Sequence, residues 1–263
     1  MTSDATRLLR DTRTLTRREL DHWMAQPAPV IISLLFPVMT VLMFGYLFGG
    51  AMTVPVGGSY RAYLLPGMFV MTMLFGLETT LTGVVTDLTR GITDRFRSLP
   101  MAAAAVLAGR AAADMLNAVA GLAVITGCGL IAGWRPRRGL WLALAAFGLL
   151  LLLRLAMIWL GIYLGLLIKT PEAVTGAQIL VWPLGFLSSA FVPPATMPGW
   201  LAAVAFWNPL SATAGAARQL FGNPTGGGDS WAAHHPVILA IAWPLVITVV
   251  FLTLAARRYR RRC

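Results

Sequence analysis

Three ionisable side chains, Glu78, Asp114 and Arg154, each lie inside a long apolar run of the sequence. A charged side chain at the centre of a bilayer costs at least ~2.5 kcal/mol on insertion scales, so we expect these residues to be paired or to face water. One interpretation is a structural ion pair, because the long Arg154 side chain can reach either carboxylate. The other is that Glu78 or Arg154 lines a substrate path and attracts a charged headgroup or a cationic drug.

The residues that an enzyme would use are not arranged for catalysis. His234 and His235 are predicted on the opposite side of the membrane from His22, so these histidines are not expected to share a metal. Ser188 and Ser189 lack the Gly-x-Ser-x-Gly context of a serine hydrolase, and no histidine is predicted at their depth. We therefore expect no catalytic residue, no metal site and no cofactor in this chain.

The composition indicates a polytopic membrane protein. Of the 263 residues, 57% are hydrophobic and only 12% are charged, whereas about 25% charged residues are usual in soluble domains. The formal net charge of +11 could indicate a nucleic-acid partner. However, the arginines lie beside apolar segments rather than along one polar face, so we expect contact with membrane lipids and no nucleic-acid binding.

Six apolar segments predict an all-helical membrane domain that covers residues 1–263. About 20 apolar residues are needed to cross the hydrocarbon core, and the six predicted spans lie at about residues 30–50, 62–85, 104–134, 139–168, 173–193 and 236–256. Residues 1–29 have the pattern of an amphipathic helix, with arginines mostly opposite its apolar face. Such a helix would lie flat at the membrane interface, where anionic lipid attracts its arginines.

The segment after the fifth predicted span, residues 194–229, is apolar but interrupted by prolines. Irregular backbone at membrane depth persists only where protein or water satisfies its polar groups. Two short helices at residues 199–206 and 211–221, joined at Asn208-Pro209, would fold back into the outer leaflet as a re-entrant hairpin. An exposed loop is the alternative, but it would leave a long apolar segment in water.

The arginine clusters predict the orientation in the membrane. Five arginines precede the first span and five follow the last, so the positive-inside rule places both termini in the cytoplasm and requires an even number of crossings. Arg135, Arg137 and Arg138 then fall outside, but the reverse orientation would misplace most of the positive residues. We expect a multi-pass protein of the plasma membrane.

A charged segment, residues 86–103, lies between the second and third spans and is cytoplasmic in this orientation. Its central residues can form a short helix that ends at Pro100 and presents Phe96 and Leu99 beside Arg95 and Arg97. An apolar ridge edged by charge suits the groove of a protein partner. A helix that lies in the lipid interface would use the same residue types, so the pattern alone leaves both interpretations open.

Two long blocks of sequence resemble the type 2 ABC exporter permeases of the daunorubicin-resistance-like branch. Residues 86–115, TDLTRGITDRFRSLPMAAAAVLAGRAAADM, are similar to the cytoplasmic loop of that branch. Residues 186–222 are similar to its sequence after the fifth span. The most recognisable parts of this second block are Met197, Pro198, Gly199, Trp200, Asn208 and Pro209.

This resemblance implies a permease subunit that forms a homodimer or heterodimer with a second permease copy and works with a separate ATP-binding cassette ATPase. ATP and Mg would be bound by that partner. The sequence agrees, because its only lysine, Lys169, lacks the glycine-rich context of a P-loop. The resemblance implies a coupling loop at this place in the chain, and the best candidates for contact with the ATPase are Arg95, Phe96, Arg97, Ser98, Leu99 and Pro100.

The sequence therefore predicts a subunit that exports hydrophobic or amphipathic drugs or lipids at the expense of ATP. A secondary transporter is the alternative, since it too would place carboxylates and arginine inside the membrane, but we find no internal repeat of the kind such folds carry. A membrane scaffold without transport activity is also compatible with the composition.

Overall fold

The computed structural model describes residues 59–90, 103–168, 171–228 and 230–262, together with six positions between residues 35 and 43. The helix predicted at residues 1–29, most of the first predicted span and the predicted coupling residues 95–100 lie outside the described residues. Within the described ranges the regular structure is helical and contains no strand, which confirms the all-helical prediction for this part of the chain.

The described ranges form eight α-helices and one short 3-10 helix. We number the α-helices in chain order, and the 3-10 helix, Pro194–Thr196, lies between α4 and α5. The α-helices are α1 (Tyr60–Thr89), α2 (Ala103–Ile131), α3 (Leu140–Leu167), α4 (Pro171–Phe186), α5 (Gly199–Trp207), α6 (Pro209–Phe221), α7 (Trp231–His234) and α8 (Pro236–Arg262).

Four of these helices, α1, α2, α3 and α8, contain apolar stretches long enough to cross a membrane. The chain is therefore a multi-pass membrane protein. Helix α4 has 16 residues, fewer than the roughly 20 that a perpendicular crossing requires. The total of six spans stays a prediction, because the first predicted span lies mainly outside the described residues.

Helix α4 ends at Phe186, seven residues before the end of the predicted fifth span, and the chain turns at residues 187–192. The Ser188 hydroxyl donates to the Gly185 carbonyl and accepts a hydrogen bond from the Ala190 amide, so it replaces helical backbone bonds. Pro193 and Pro194 follow and have no amide hydrogen to continue a helix. Hydropathy does not reveal this turn because the residues in it are as apolar as the helix.

Helices α1 and α3 form the centre of the bundle. Helix α3 packs against α1, α2, α6 and α8, and α1 also contacts α2, α4 and α6. The most apolar stretch of α1 is 61% buried and that of α8 is 22% buried, so α8 lies at the periphery. Because α1 runs through the whole bundle, it can position polar groups from several other helices at different heights.

Candidate functional site

The structure places the three predicted intramembrane residues on three different helices: Glu78 on α1, Asp114 on α2 and Arg154 on α3. Asp114 and Arg154 are buried, and Glu78 is partly buried. The Arg154 Nη2 atom donates to Thr80 Oγ1 at 3.1 Å, and Thr80 Oγ1 donates to Asp114 Oδ2 at 2.7 Å. Asp114 and Arg154 are therefore brought together through a threonine hydroxyl on α1.

Arg110 of α2 connects Asp114 to a second carboxylate. Its Nη1 atom lies 2.7 Å from Asp87 Oδ2, and its Nε atom lies 3.7 Å from Asp114 Oδ2. Two carboxylates thus accompany two guanidinium groups. We call this set, Asp87, Arg110, Asp114, Thr80 and Arg154, the charge network; it extends about 10 Å along α1 from residue 87 to residue 80.

Two glycines of α1 make room for the arginines of the charge network. A Cβ atom at Gly76 would overlap the guanidinium group of Arg154, and one at Gly83 would overlap that of Arg110. These glycines lie seven residues apart, which is close to two helical turns and puts them on nearly the same face. Helix α1 thereby lets both cations approach its backbone closely.

Glu78 lies outside the charge network, on the side of α1 that faces α4. Thr82 of α1 accepts a hydrogen bond from Gln178 of α4 at 3.2 Å, and Phe75 contacts Trp182 of α4. Glu78 lies between these two contacts along the helix. Its Oε1 atom is buried and has no hydrogen-bond partner among the described residues. The structure therefore separates Glu78 from Asp114 and Arg154, with which the sequence had grouped it.

Near the opposite end of α1, Arg218 of α6 forms a second arginine site. Its side chain is 1% exposed, and its Cζ atom lies 3.6 Å from the centroid of the Tyr63 ring. Its Nε atom donates to the Tyr63 carbonyl at 2.9 Å, and Nη2 donates to the carbonyls of Ser189 at 2.8 Å and Ala190 at 3.1 Å. We call this set, Arg218, Tyr63, Ser189 and Ala190, the arginine clamp.

The arginine clamp joins α1 and α6 to the turn that follows α4. The Tyr63 hydroxyl donates to the same Ser189 carbonyl at 2.8 Å, and the Ser189 amide donates to the Ser211 hydroxyl at 2.8 Å. A Cβ at Gly67 would overlap the Ala190 carbonyl, so α1 also touches this turn with its backbone. The polar groups of an irregular turn in an apolar segment are thus satisfied by protein.

Burial lowers the pKa of the Arg218 guanidinium below its ordinary value. Arginine starts from so high a pKa that the group stays charged at neutral pH. Within the described residues no carboxylate forms an ion pair with Arg218. The positive charge is instead surrounded by carbonyl dipoles and by the electron-rich face of an aromatic ring.

The predicted re-entrant residues lie around the start of α5 and the junction of α5 with α6. Met197 follows the 3-10 helix, Pro198 is the N-cap of α5, and Trp200 is 73% exposed. Asn208 caps α6 by accepting from the Leu210 amide at 2.8 Å, and Pro209 is the first residue of that helix. The depth of this segment in a membrane stays a prediction.

Asn208 also completes the end of α4. Its Nδ2 atom donates to the carbonyls of Leu184 and Leu187, each at 3.1 Å. The last carbonyls of a helix lack intrahelical N–H donors, so a side-chain amide can donate to them instead. One asparagine therefore joins the end of one helix to the beginning of another.

Two arginines with clear structural roles are missing from the sequence-based site. The positive-inside rule treats Arg110 and Arg218 only as charges that flank the membrane, whereas the structure places Arg218 in buried contacts and Arg110 in a part-buried ion pair. A signal was present for Arg218, since it lies inside a predicted apolar helix rather than beside one. The ranges that the structure describes contain no group of three or more His, Cys, Asp or Glu side chains that could hold a metal ion.

Comparison with known proteins gives consistent matches over most of the chain. The ABC-2 type transporter family matches residues 10–221. The daunorubicin resistance ABC transporter permease protein DrrB1 of Streptomyces coeruleorubidus is 35% identical over 237 residues, which cover 90% of this chain and 81% of that protein. The probable doxorubicin resistance ABC transporter permease protein DrrC of Mycobacterium tuberculosis is 26% identical over 254 residues, covering 94% and 87% of the two chains.

Proposed function

This chain belongs to the ABC-2 type transporter family, and on that premise we propose that it is the permease subunit of an exporter for hydrophobic or amphipathic drugs or lipids. The observation that carries the proposal is the 35% identity to a daunorubicin resistance permease over 90% of the chain. A partner ATPase binds ATP and Mg and hydrolyses the nucleotide. The permease works as a dimer in the plasma membrane, with both termini in the cytoplasm.

The contact with the ATPase lies in residues 95–100, between α1 and α2. The last described residue before the unassigned part of this loop is Arg90, and α2 begins at Ala103. The ion pair between Asp87 and Arg110 joins the two helices close to the base of the loop. A force applied to the loop therefore acts on two helices that are linked to each other.

The charge network carries that force toward the middle of the bundle. Arg110 contacts Asp114, Asp114 contacts Thr80, and Thr80 contacts Arg154 of α3. Because α3 packs against α1, α2, α6 and α8, a movement that reaches Arg154 reaches a helix that contacts four others. Alternating access requires such coordinated movement of several helices.

A reconstituted transport assay tests the proposal. The permease and its cognate ATPase are placed in proteoliposomes, and uptake of daunorubicin into inverted vesicles is followed by fluorescence. We expect uptake to require ATP and to fall at least tenfold in the double variant Phe96→Ala, Arg97→Ala. The amount of permease in the vesicles should remain normal, because these residues contact the partner rather than the core.

Two results would contradict the assignment. Uptake driven by a proton gradient without ATP or the ATPase would identify a secondary transporter. Normal copurification and normal ATP-driven uptake in the Phe96→Ala, Arg97→Ala variant would remove residues 95–100 from the coupling contact. An ATPase variant without hydrolytic activity is the matched control for uptake that only reflects partition of the drug into lipid.

A further inference from the structure

The link between α2 and α3, residues 132–139, carries three arginines with exposed side chains, Arg135, Arg137 and Arg138. We call residues 132–139 the arginine link. In the predicted orientation this link lies outside the cell, where the positive-inside rule expects few positive residues. Membrane orientation therefore does not explain why three arginines occur here within four positions.

The backbone of the arginine link is held by hydrogen bonds and by a buried tryptophan. Helix α2 ends in a Schellman motif, in which the Trp134 amide donates to the Gly129 carbonyl at 2.9 Å and the Gly133 amide donates to the Leu130 carbonyl at 3.2 Å. Gly133 has the left-handed φ of 89° that this motif needs. The buried Trp134 ring packs edge-to-face on Phe221 of α6. The arginines therefore extend from an anchored turn.

The end of α6 supports the arginine link from a second side. The Arg137 amide donates to the Phe221 carbonyl at 2.8 Å. Gly222 caps α6 in the left-handed conformation, and a Cβ atom there would lie 3.2 Å from Arg137 Cβ and 3.0 Å from Arg138 Cγ. The stems of these two arginines therefore lie side by side against the end of α6.

The guanidinium groups of the arginine link have no protein acceptor among the described residues. No hydrogen bond or ion pair of that part of the chain uses these three side chains. Arg154 and Arg218, by contrast, donate to oxygens of neighbouring segments. A guanidinium group carries five N–H donors in a planar arrangement that matches the oxygens of a phosphate. The arginine link therefore presents three phosphate-binding groups whose donors the described fold does not use.

The residues on both sides of the arginine link are among the most exposed apolar side chains of the described structure. Ile131, the last residue of α2, is 89% exposed, and Trp141, the second residue of α3, is 82% exposed, with Leu140 exposed beside it. Both helices are long and apolar enough to cross a membrane. Such side chains favour lipid over water, and tryptophan favours the membrane interface. The arginines between them therefore lie at the depth of the lipid headgroups.

We propose that the arginine link is a binding site for the headgroups of anionic phospholipids. The guanidinium groups pair with phosphate oxygens, and Leu140 and Trp141 contact the acyl chains of the same lipid. A soluble phosphate would form the same ion pairs but would leave the exposed apolar side chains in water, so the surface fits a lipid better. The site is independent of what the permease exports. In the proposed orientation it faces the outer leaflet.

Thermal unfolding of the full-length permease in detergent micelles tests the site without ATP or transport. Phosphatidylglycerol is titrated into the micelles, and zwitterionic phosphatidylcholine is the control lipid. A ligand that binds only the folded state raises Tm, so phosphatidylglycerol should raise it. The triple variant Arg135→Gln, Arg137→Gln, Arg138→Gln should need at least about tenfold more phosphatidylglycerol for the same rise. Arginines elsewhere act equally in both proteins, so the difference reports on the arginine link.

Matched variants separate headgroup binding from effects on the fold. Without added phospholipid the triple variant should have the Tm of wild type, because glutamine keeps the Cβ and Cγ atoms and no described hydrogen bond is lost. Replacing the same three arginines with lysine keeps the positive charges and should retain at least about half of the rise in Tm. Arg90→Gln removes an exposed arginine at the end of α1 and should change the required phosphatidylglycerol less than about twofold.

An unchanged response to phosphatidylglycerol in the triple glutamine variant would overturn the site and would leave the proposed export function intact. If that variant does not accumulate, Arg135→Gln alone decides: a response weakened about threefold supports the site, and an unchanged response overturns it. A lysine variant that responds like the glutamine variant would show that positive charge is not what binds. An equal rise in Tm from inorganic phosphate would replace the lipid site with a site for soluble anions, and equal responses to both phospholipids would overturn the selectivity for anionic headgroups.

Discussion

The charge network and the arginine clamp, about 25 Å apart along α1, bury arginine by opposite means. In the charge network, Arg110 and Arg154 are accompanied by the carboxylates of Asp87 and Asp114. In the arginine clamp, Arg218 has backbone carbonyls and an aromatic ring around it, and no described carboxylate pairs with it. One site neutralises charge with charge, and the other solvates charge with dipoles.

This difference indicates which end of the bundle can move. Side-chain carboxylates can exchange donors while the backbone stays in place, so the charge network tolerates rearrangement between states. Three acceptors of Arg218 are main-chain carbonyls of α1 and of the turn after α4, and the fourth is the Ser189 hydroxyl at 3.3 Å. The three carbonyls cannot be exchanged unless the backbone itself moves. We therefore interpret the arginine clamp as a fixed point and the charge network as the adjustable part.

The largest effect should come from replacing Arg218 with methionine. The variant keeps an apolar stem of similar length but removes the Arg218 donor of the Ala190 carbonyl, one of the two donors of the Ser189 carbonyl and the cation over the Tyr63 ring. Buried groups left without partners cost about 1–3 kcal/mol each, so we expect a loss of about 3 kcal/mol and a fall in Tm of roughly 6–12 °C. Thermal unfolding of the purified permease in detergent measures this change.

Arg218→Lys should not restore stability, because an ammonium group is not a planar fork and cannot reach three carbonyls and lie over the Tyr63 ring. Arg135→Met is the control, since Arg135 is an exposed arginine in the link between α2 and α3. A Tm within 2 °C of wild type in Arg218→Met would show that the arginine clamp does not hold the turn after α4.

Arg218 illustrates which features of the fold could be predicted from sequence and which could not. The all-helical membrane fold and the family follow from local signals: long apolar segments and two recognisable blocks of sequence. Arg218, by contrast, donates to a residue 155 positions away in the chain. The position of Arg218 inside an apolar segment indicates burial, but its acceptors depend on which helices meet, and neither hydropathy nor local spacing contains that information.

The predicted group of Glu78, Asp114 and Arg154 shows the same limit. The position of a residue in its apolar segment indicates its depth in the membrane. Depth does not specify the direction in which a side chain leaves its helix. Glu78 points toward α4, whereas Thr80, two residues later, faces Asp114. A difference of about 200° around the helix separates them.

A smaller effect is expected from exchanging charges within the charge network. Asp87→Arg places two guanidinium groups together and should cost about 1–2 kcal/mol, a value reduced because Asp87 is one-third exposed. The double variant Asp87→Arg, Arg110→Asp restores opposite charges and should recover at least half of the lost Tm. It also alters the 3.7 Å contact of Arg110 with Asp114, so recovery should be incomplete.

Additive losses of stability from the two substitutions would contradict a direct link between Asp87 and Arg110. If the double variant is less stable than either single variant, the ion pair between Asp87 and Arg110 does not link α1 to α2. A double-mutant cycle gives the pair energy directly. Measuring ATP-driven uptake in the same variants tests coupling, since restored stability with lost uptake would require the original polarity of the pair.

The smallest and most discriminating comparison uses one hydroxyl from each site. Thr80→Val keeps the side-chain shape but removes the hydroxyl that links Arg154 to Asp114, and we expect a loss of about 1 kcal/mol. Tyr63→Phe removes a hydroxyl donor from the Ser189 carbonyl, but Arg218 Nη2 still donates to that oxygen at 2.8 Å. The expected cost is well under 1 kcal/mol.

Which of the two variants has the lower Tm tests the distinction between the charge network and the arginine clamp more directly than the size of either Tm change. If acceptors in the arginine clamp have redundant donors and the charge network is a single chain of contacts, Thr80→Val must be the less stable variant. The reverse order would show that the Tyr63 hydroxyl, rather than Arg218, holds the turn after α4. Thr253→Val, which removes an exposed hydroxyl bonded only to its own helix α8 in the described residues, supplies the baseline for both.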